Sequence, residues 1–125
     1  MNWFSKKKEP VLDRAEALAC RPLKNPAAVE TRLAGGIVRL SYSLPVKPFM
    51  AALARRLGAS EQGLTKKLEL DQLGSAVWDR IDGRATVGDL VDWFGREYQV
   101  LPQEAEAAVT AFLRELGRRG LAALG

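Results

Sequence analysis

Leu70-Asp71-Gln72-Leu73-Gly74-Ser75-Ala76-Val77-Trp78-Asp79-Arg80-Ile81-Asp82-Gly83-Arg84-Ala85-Thr86 decides the reading of this chain. Asp71 is a helix-capping residue type, so a helix is expected to begin at Gln72. Leu73, Val77 and Ile81 recur along it at helical spacing with Ala76 and Trp78 beside them, while Gln72, Ser75, Asp79, Arg80 and Asp82 fall on the other side. Gly83 suits the left-handed position that terminates a helix, and Thr86 suits the cap of the next.

Downstream, Val87, Leu90, Val91 and Phe94 form the apolar stripe of that second helix, with Asp89 in its first turn where the helix dipole favours a negative charge. Pro102 opens a third helix, assisted by Glu104 and Glu106. Ala105, Ala108, Val109, Phe112, Leu113 and Leu116 give it a broad apolar face, and Gly120 ends it.

Upstream, Leu64, Lys66, Leu68 and Leu70 alternate with Thr65, Lys67 and Glu69, the period of a half-buried strand with its leucines turned mainly to a core. Val29 with Arg32-Leu33, and then 37–44, read as two strands of a hairpin around Gly35-Gly36. Val38, Leu40 and Tyr42 share one face of the second strand, and Ile37, Arg39, Ser41 and Ser43 the other. Residues 45–63 form an insertion between strands two and three, where Val46, Phe49, Met50, Leu53 and Leu57 mark one face of an extra helix. The division expected is an N-terminal arm over 1–26 and one domain over 27–125. The arm carries Trp3-Phe4 beside Lys6-Lys7-Lys8 and a short helix over 12–20, with Pro22 and Pro26 making its end a linker.

The pattern Leu-Asp-x-x-Gly-x-x-x-Trp-x-x-x-Asp-Gly-x-x-Thr over 70–86, followed by Val91, Tyr98, Val109, Phe112-Leu113, Leu116 and Gly120-Leu121, resembles the family of pyrroloquinoline quinone biosynthesis protein D, the PqqD-like peptide chaperones. One position departs: the family often carries an acidic residue just before the valine of the last helix, where this chain has Ala108. The resemblance implies an α+β, winged-helix-like fold, a three-stranded antiparallel sheet followed by a three-helix bundle. It implies binding of the leader segment of a ribosomally made precursor peptide and its presentation to a modifying enzyme, commonly a radical S-adenosylmethionine enzyme. The leader is expected to add as a strand along Thr65, Lys66, Lys67, Leu68, Glu69 and Leu70, in a groove walled by Val109, Phe112 and Leu113. By sheet physics an edge strand offers unpaired N–H and C=O groups whatever the guest's side chains. A proline at Leu68 is expected to remove one of those donors.

Composition bounds the rest. The chain has 125 residues, 47% hydrophobic and 27% charged, which is enough for one core. It contains no histidine and a single cysteine, Cys20, which excludes Ser-His-Asp and Cys-His arrangements and the usual zinc sets. No catalytic residue, cofactor or metal is therefore expected. Asp79, Asp82, Asp89 and Asp92 read as a solvated face rather than an acid/base pair. With no spanning run or secretory signal, the expected location is the cytoplasm. The arm and the insertion helix offer basic, amphipathic surface for a partner enzyme or for peripheral contact with an anionic membrane. An unsatisfied edge also invites pairing between two copies as a homodimer.

Charge separates the remaining classes. Residues 1–67 carry a net +8 and 68–125 a net −4, within a total of +4. A winged-helix DNA-binding regulator needs Lys and Arg on its groove helix, whereas 87–98 carries Asp89, Asp92 and Glu97 against Arg96 alone. Nucleic acid is therefore not an expected partner, and the DNA-binding regulator ranks below the peptide chaperone. A structural adaptor acting through the insertion helix is a third class.

Overall fold

In a computed structural model, the described residues are 13–43, 56 and 65–125. Their elements run α1 (Arg14–Ala19), β1 (Pro22–Lys24), β2 (Val29–Arg32), a 3-10 turn (Ala34–Gly36), β3 (Val38–Ser43), β4 (Thr65–Glu69), α2 (Gln72–Asp79), α3 (Val87–Tyr98), α4 (Pro102–Arg118) and β5 (Ala122–Leu124). This is an α+β chain in which three antiparallel strands precede three helices. The expectations for Trp3-Phe4 with Lys6-Lys7-Lys8, for Leu64 and for the insertion helix over 45–63 lie outside the described residues. Two compact units divide the chain, one of Pro26–Asp71 and the other of the residues up to Asn25 with Gln72–Gly125.

The Pro26–Asp71 unit is the sheet, in the order β2-β3-β4. Gly35 and Gly36 both take positive φ, 76° and 77°, which only glycine adopts at little cost, and they reverse the chain between β2 and β3. The alternation written in β3 is realised: Val38, Leu40 and Tyr42 are buried, while Arg39 and Ser41 are half-buried and Ser43 is exposed. On that second face Arg39 reaches across to Glu69 at 3.2 Å, both side chains being partly solvated.

The helical unit is stitched together by two segments distant in the sequence. Pro22–Lys24, expected as a linker, is instead a strand paired antiparallel with β5, Pro22 opposite Leu124 and Lys24 opposite Ala122. Arg21 and Gly125 exchange both backbone bonds, at 3.0 and 2.8 Å, and Asn25 donates through its backbone to the Leu121 carbonyl and through its side chain to that of Gly120, each at 2.9 Å. Proline is tolerated at the start of such an outer strand, where its missing donor is not needed. A pairing between segments roughly a hundred residues apart leaves no local signature, which is why β1 and β5 escape a periodicity reading.

α1 is closed by a capping box in which the Glu16 amide donates to Asp13 at 2.7 Å and Glu16 accepts in return. The Arg14 guanidinium then holds both carboxylate oxygens of Glu106 on α4, at 2.7–3.1 Å. α3 carries its own capping box: the Asp89 amide donates to the Thr86 hydroxyl at 3.0 Å and the Thr86 amide to Asp89 at 2.9 Å. The stripe expected for α3 is found, with Val87, Leu90, Val91 and Phe94 buried.

α2 departs from its expected stripe. Leu73 is 45% exposed, whereas Ser75, placed on the polar side, is only 2% exposed. Successive helical residues step by about 100°, and the buried face is centred on Gly74 and Trp78 rather than on Leu73 and Val77. The reason is size: Trp78, 1% exposed, removes the most apolar surface from water, so packing turns the helix to put it at the centre. Lys24 then sits over the Trp78 ring, 4.7 Å from its centroid. The helix itself stops at Asp79, and tight turns from Arg80 to Val77 and from Ile81 to Trp78 lead into Gly83 at φ 81°.

α4 starts at Pro102 as expected and buries Ala105, Val109, Leu113 and Leu116. Ala108 does not join them and is exposed, because the apolar face is narrower than the composition of the helix allows.

Candidate functional site

β4 is an outer strand of its sheet, and its register fixes what it offers. Lys66 and Leu68 stand opposite Tyr42 and Leu40, on the face that buries those residues. Thr65, Lys67 and Glu69 stand opposite Ser43, Ser41 and Arg39, on the other face. In an antiparallel ladder, residues whose N–H and C=O both meet the neighbour alternate with residues whose groups both point away. The Leu70 amide donates to the Val38 carbonyl at 2.9 Å, so Leu70, Leu68 and Lys66 direct their backbone toward β3. Thr65, Lys67 and Glu69 therefore direct theirs outward.

The hairpin gives the same parity independently. Leu33 donates to the Ile37 carbonyl at 2.8 Å, which turns the backbone of Arg39 and Ser41 toward β2 and that of Val38, Leu40 and Tyr42 toward β4. Among the described residues no strand lies beyond β4. Its outward N–H and C=O groups are the kind of unfilled ladder that an extended peptide satisfies.

The side chains of this edge are polar at one end and apolar at the other. Thr65, Lys66, Lys67 and Glu69 are exposed, Leu68 is half-buried and Leu70 buried. Glu69 has Arg39 as its partner, and among the described residues neither Lys66 nor Lys67 has an ion-pair partner. Among the described residues, the strand end around Lys66-Lys67 thus carries positive charge with no ion-pair partner.

The three residues expected from the last helix differ sharply in what they present. Val109 and Leu113 are 0% and 1% exposed and belong to the core of the helical unit; Phe112 alone is partly exposed. The apolar stripe reveals that all three share a face, but not which of them the packing leaves uncovered.

Asp82, Asp89 and Glu106 have structural partners. Asp82 accepts from the amides of Ala85 at 2.9 Å and Arg84 at 2.8 Å, and these bonds hold its pKa below the ordinary value. Asp89 is lowered in the same way by its bonds from Thr86, and Glu106 by the Arg14 guanidinium. These bonds stabilise the ionised form without creating a group poised to move protons near neutrality. Among the described residues no cluster of three or more His, Cys, Asp or Glu is placed to hold a metal ion, and no helix is long and apolar enough to cross a membrane.

No curated protein and no solved structure matches the chain significantly. A family model described as Coenzyme PQQ synthesis protein D (PqqD) matches residues 64–122, from β4 through the three helices into β5. The edge strand and the helices that follow it are thus the segment that is similar to the PqqD family.

Proposed function

We propose that this chain is a non-catalytic accessory protein that binds an extended leader segment of a ribosomally made precursor peptide along β4 and presents it to a modifying enzyme. A radical S-adenosylmethionine enzyme is the partner class this reading favours, with other peptide-modifying enzymes as variants of it. The observation that carries the reading is the outward set of backbone groups at Thr65, Lys67 and Glu69. Backbone pairing gives affinity, and the side chains flanking the edge give selectivity. The match of residues 64–122 to the PqqD family model supports an accessory role in biosynthesis of the coenzyme PQQ type. The order of three antiparallel strands and then three helices suits the winged-helix-like arrangement this reading assumes.

The DNA-binding alternative is disfavoured by α3, where Asp89, Asp92 and Glu97 are all exposed and Arg96 is the lone cation. Such a surface repels phosphate rather than releasing its counterions.

Titration of the 15N-labelled full chain with synthetic leader segments of candidate precursor peptides tests the proposal. Strand addition predicts shifts and protection centred on the amides of Lys67 and Glu69. A leader that binds while leaving those two amides unmoved refutes the site.

A further inference from the structure

The edge of β4 carries more than a generic invitation to pair, because its two faces ask for different side chains in the guest. We infer that the guest strand is acidic at one end, with two adjacent carboxylates seated across Lys67 and Lys66 and apolar residues at alternate positions across Leu68 and Leu70. The inference deepens the strand-addition reading and rests on it.

The argument is one of parity. A guest residue that pairs with Lys67 lies on the face of Lys67 and Glu69, and its chain neighbour lies on the face of Lys66, Leu68 and Leu70. Two consecutive positions of a guest therefore meet the two lysines, one on each face. On the Lys67 face the next position meets Glu69, already held by Arg39 at 3.2 Å, so it asks for a neutral polar residue rather than a cation. On the Lys66 face the next positions lie beside half-buried Leu68 and then the end of the strand at buried Leu70, on the side that turns Leu40 to the core, and a core-facing side asks for apolar residues. With antiparallel pairing, the better of the two ladders per residue, the guest reads apolar-polar-apolar-acidic-acidic from its N-terminus. Opposite charges across a ladder are favourable and like charges are not, so this order selects among peptides that the backbone alone would treat equally.

The test uses the full chain and three synthetic probes, each acetylated and amidated. One contains Val-Thr-Val-Glu-Glu, one its Val-Thr-Val-Gln-Gln twin, and one the reversed order Glu-Glu-Val-Thr-Val. Affinities are read by 15N chemical-shift titration at low salt. The carboxylate probe is expected to bind about five- to tenfold more tightly than its amide twin and than the reversed probe. The preference is expected to shrink as salt rises. Lys66→Glu combined with Lys67→Glu changes two exposed side chains, and it is expected to transfer the preference to a Val-Thr-Val-Lys-Lys probe.

Equal binding of the carboxylate and amide probes, with the Lys67 and Glu69 amides shifting in both, overturns the inference and leaves strand addition standing. Equal or tighter binding of the reversed probe overturns the stated order. Failure of every probe to shift those amides at millimolar concentration counts against strand addition itself.

Discussion

The Leu70 amide donates to the Val38 carbonyl at 2.9 Å, and this one bond fixes the hydrogen-bonding parity of all of β4. Hydrogen exchange of the free chain should read that parity directly. The Leu68 and Leu70 amides, bonded to β3, are expected to exchange slowly, and the Lys67 and Glu69 amides, facing outward, quickly. Uniform protection along β4 would contradict it.

Proline substitutions should separate the edge from the ladder. Lys67→Pro removes an outward donor and is expected to abolish guest binding while leaving the sheet paired. Leu68→Pro, which the sequence presents as an edge lesion, removes instead a bond into β3 and leaves a buried partner unsatisfied. It is expected to lower stability by about 1–3 kcal/mol. Denaturant midpoints of the two variants provide the comparison.

At the start of α3, Thr86→Ala deletes the hydroxyl that accepts from the Asp89 amide, a bond of 3.0 Å. A loss of about 1 kcal/mol is expected from urea unfolding.

Acid should destabilise the helical unit through Asp82, Asp89 and Glu106, whose pKa values all lie below their ordinary ones. For a depressed carboxylate the stabilisation is complete above the unfolded pKa, near about 4, and is lost as pH falls through the lower folded value. Asp82→Asn with Asp89→Asn is expected to flatten the dependence of the melting temperature on pH below about 4. An unchanged acid limb would show that these bonds contribute nothing.

On α4, burial ranks the two neighbours Phe112 and Leu113. Leu113→Ala empties a site that is 1% exposed and is expected to cost about 2–5 kcal/mol. Phe112→Ala, at a partly exposed position, is expected to cost less. Thermal melts of the pair give the order.

The elements themselves were legible in the residues. The Thr86–Asp89 box, Pro102 at a helix start and the apolar alternation of Val38, Leu40 and Tyr42 all act within a few positions of one another. Capping and amphipathic periodicity are short-range physics, so they survive without any knowledge of what packs where. The extent of the edge strand, and the two lysines on it, were legible for the same reason.

What only tertiary structure decided is everything set by partners distant in the chain. The rotation of α2 that exposes Leu73 follows from where Trp78 finds room. The pairing of Pro22–Lys24 with Ala122–Leu124 follows from two segments far apart in sequence that meet only after folding. The outward parity of Lys67 and Glu69 follows from the register against β3. The sequence determines which side chains share a face, because that alternation belongs to one strand; which backbone groups are left for a guest belongs to a pair of strands, and is fixed only when the second one docks.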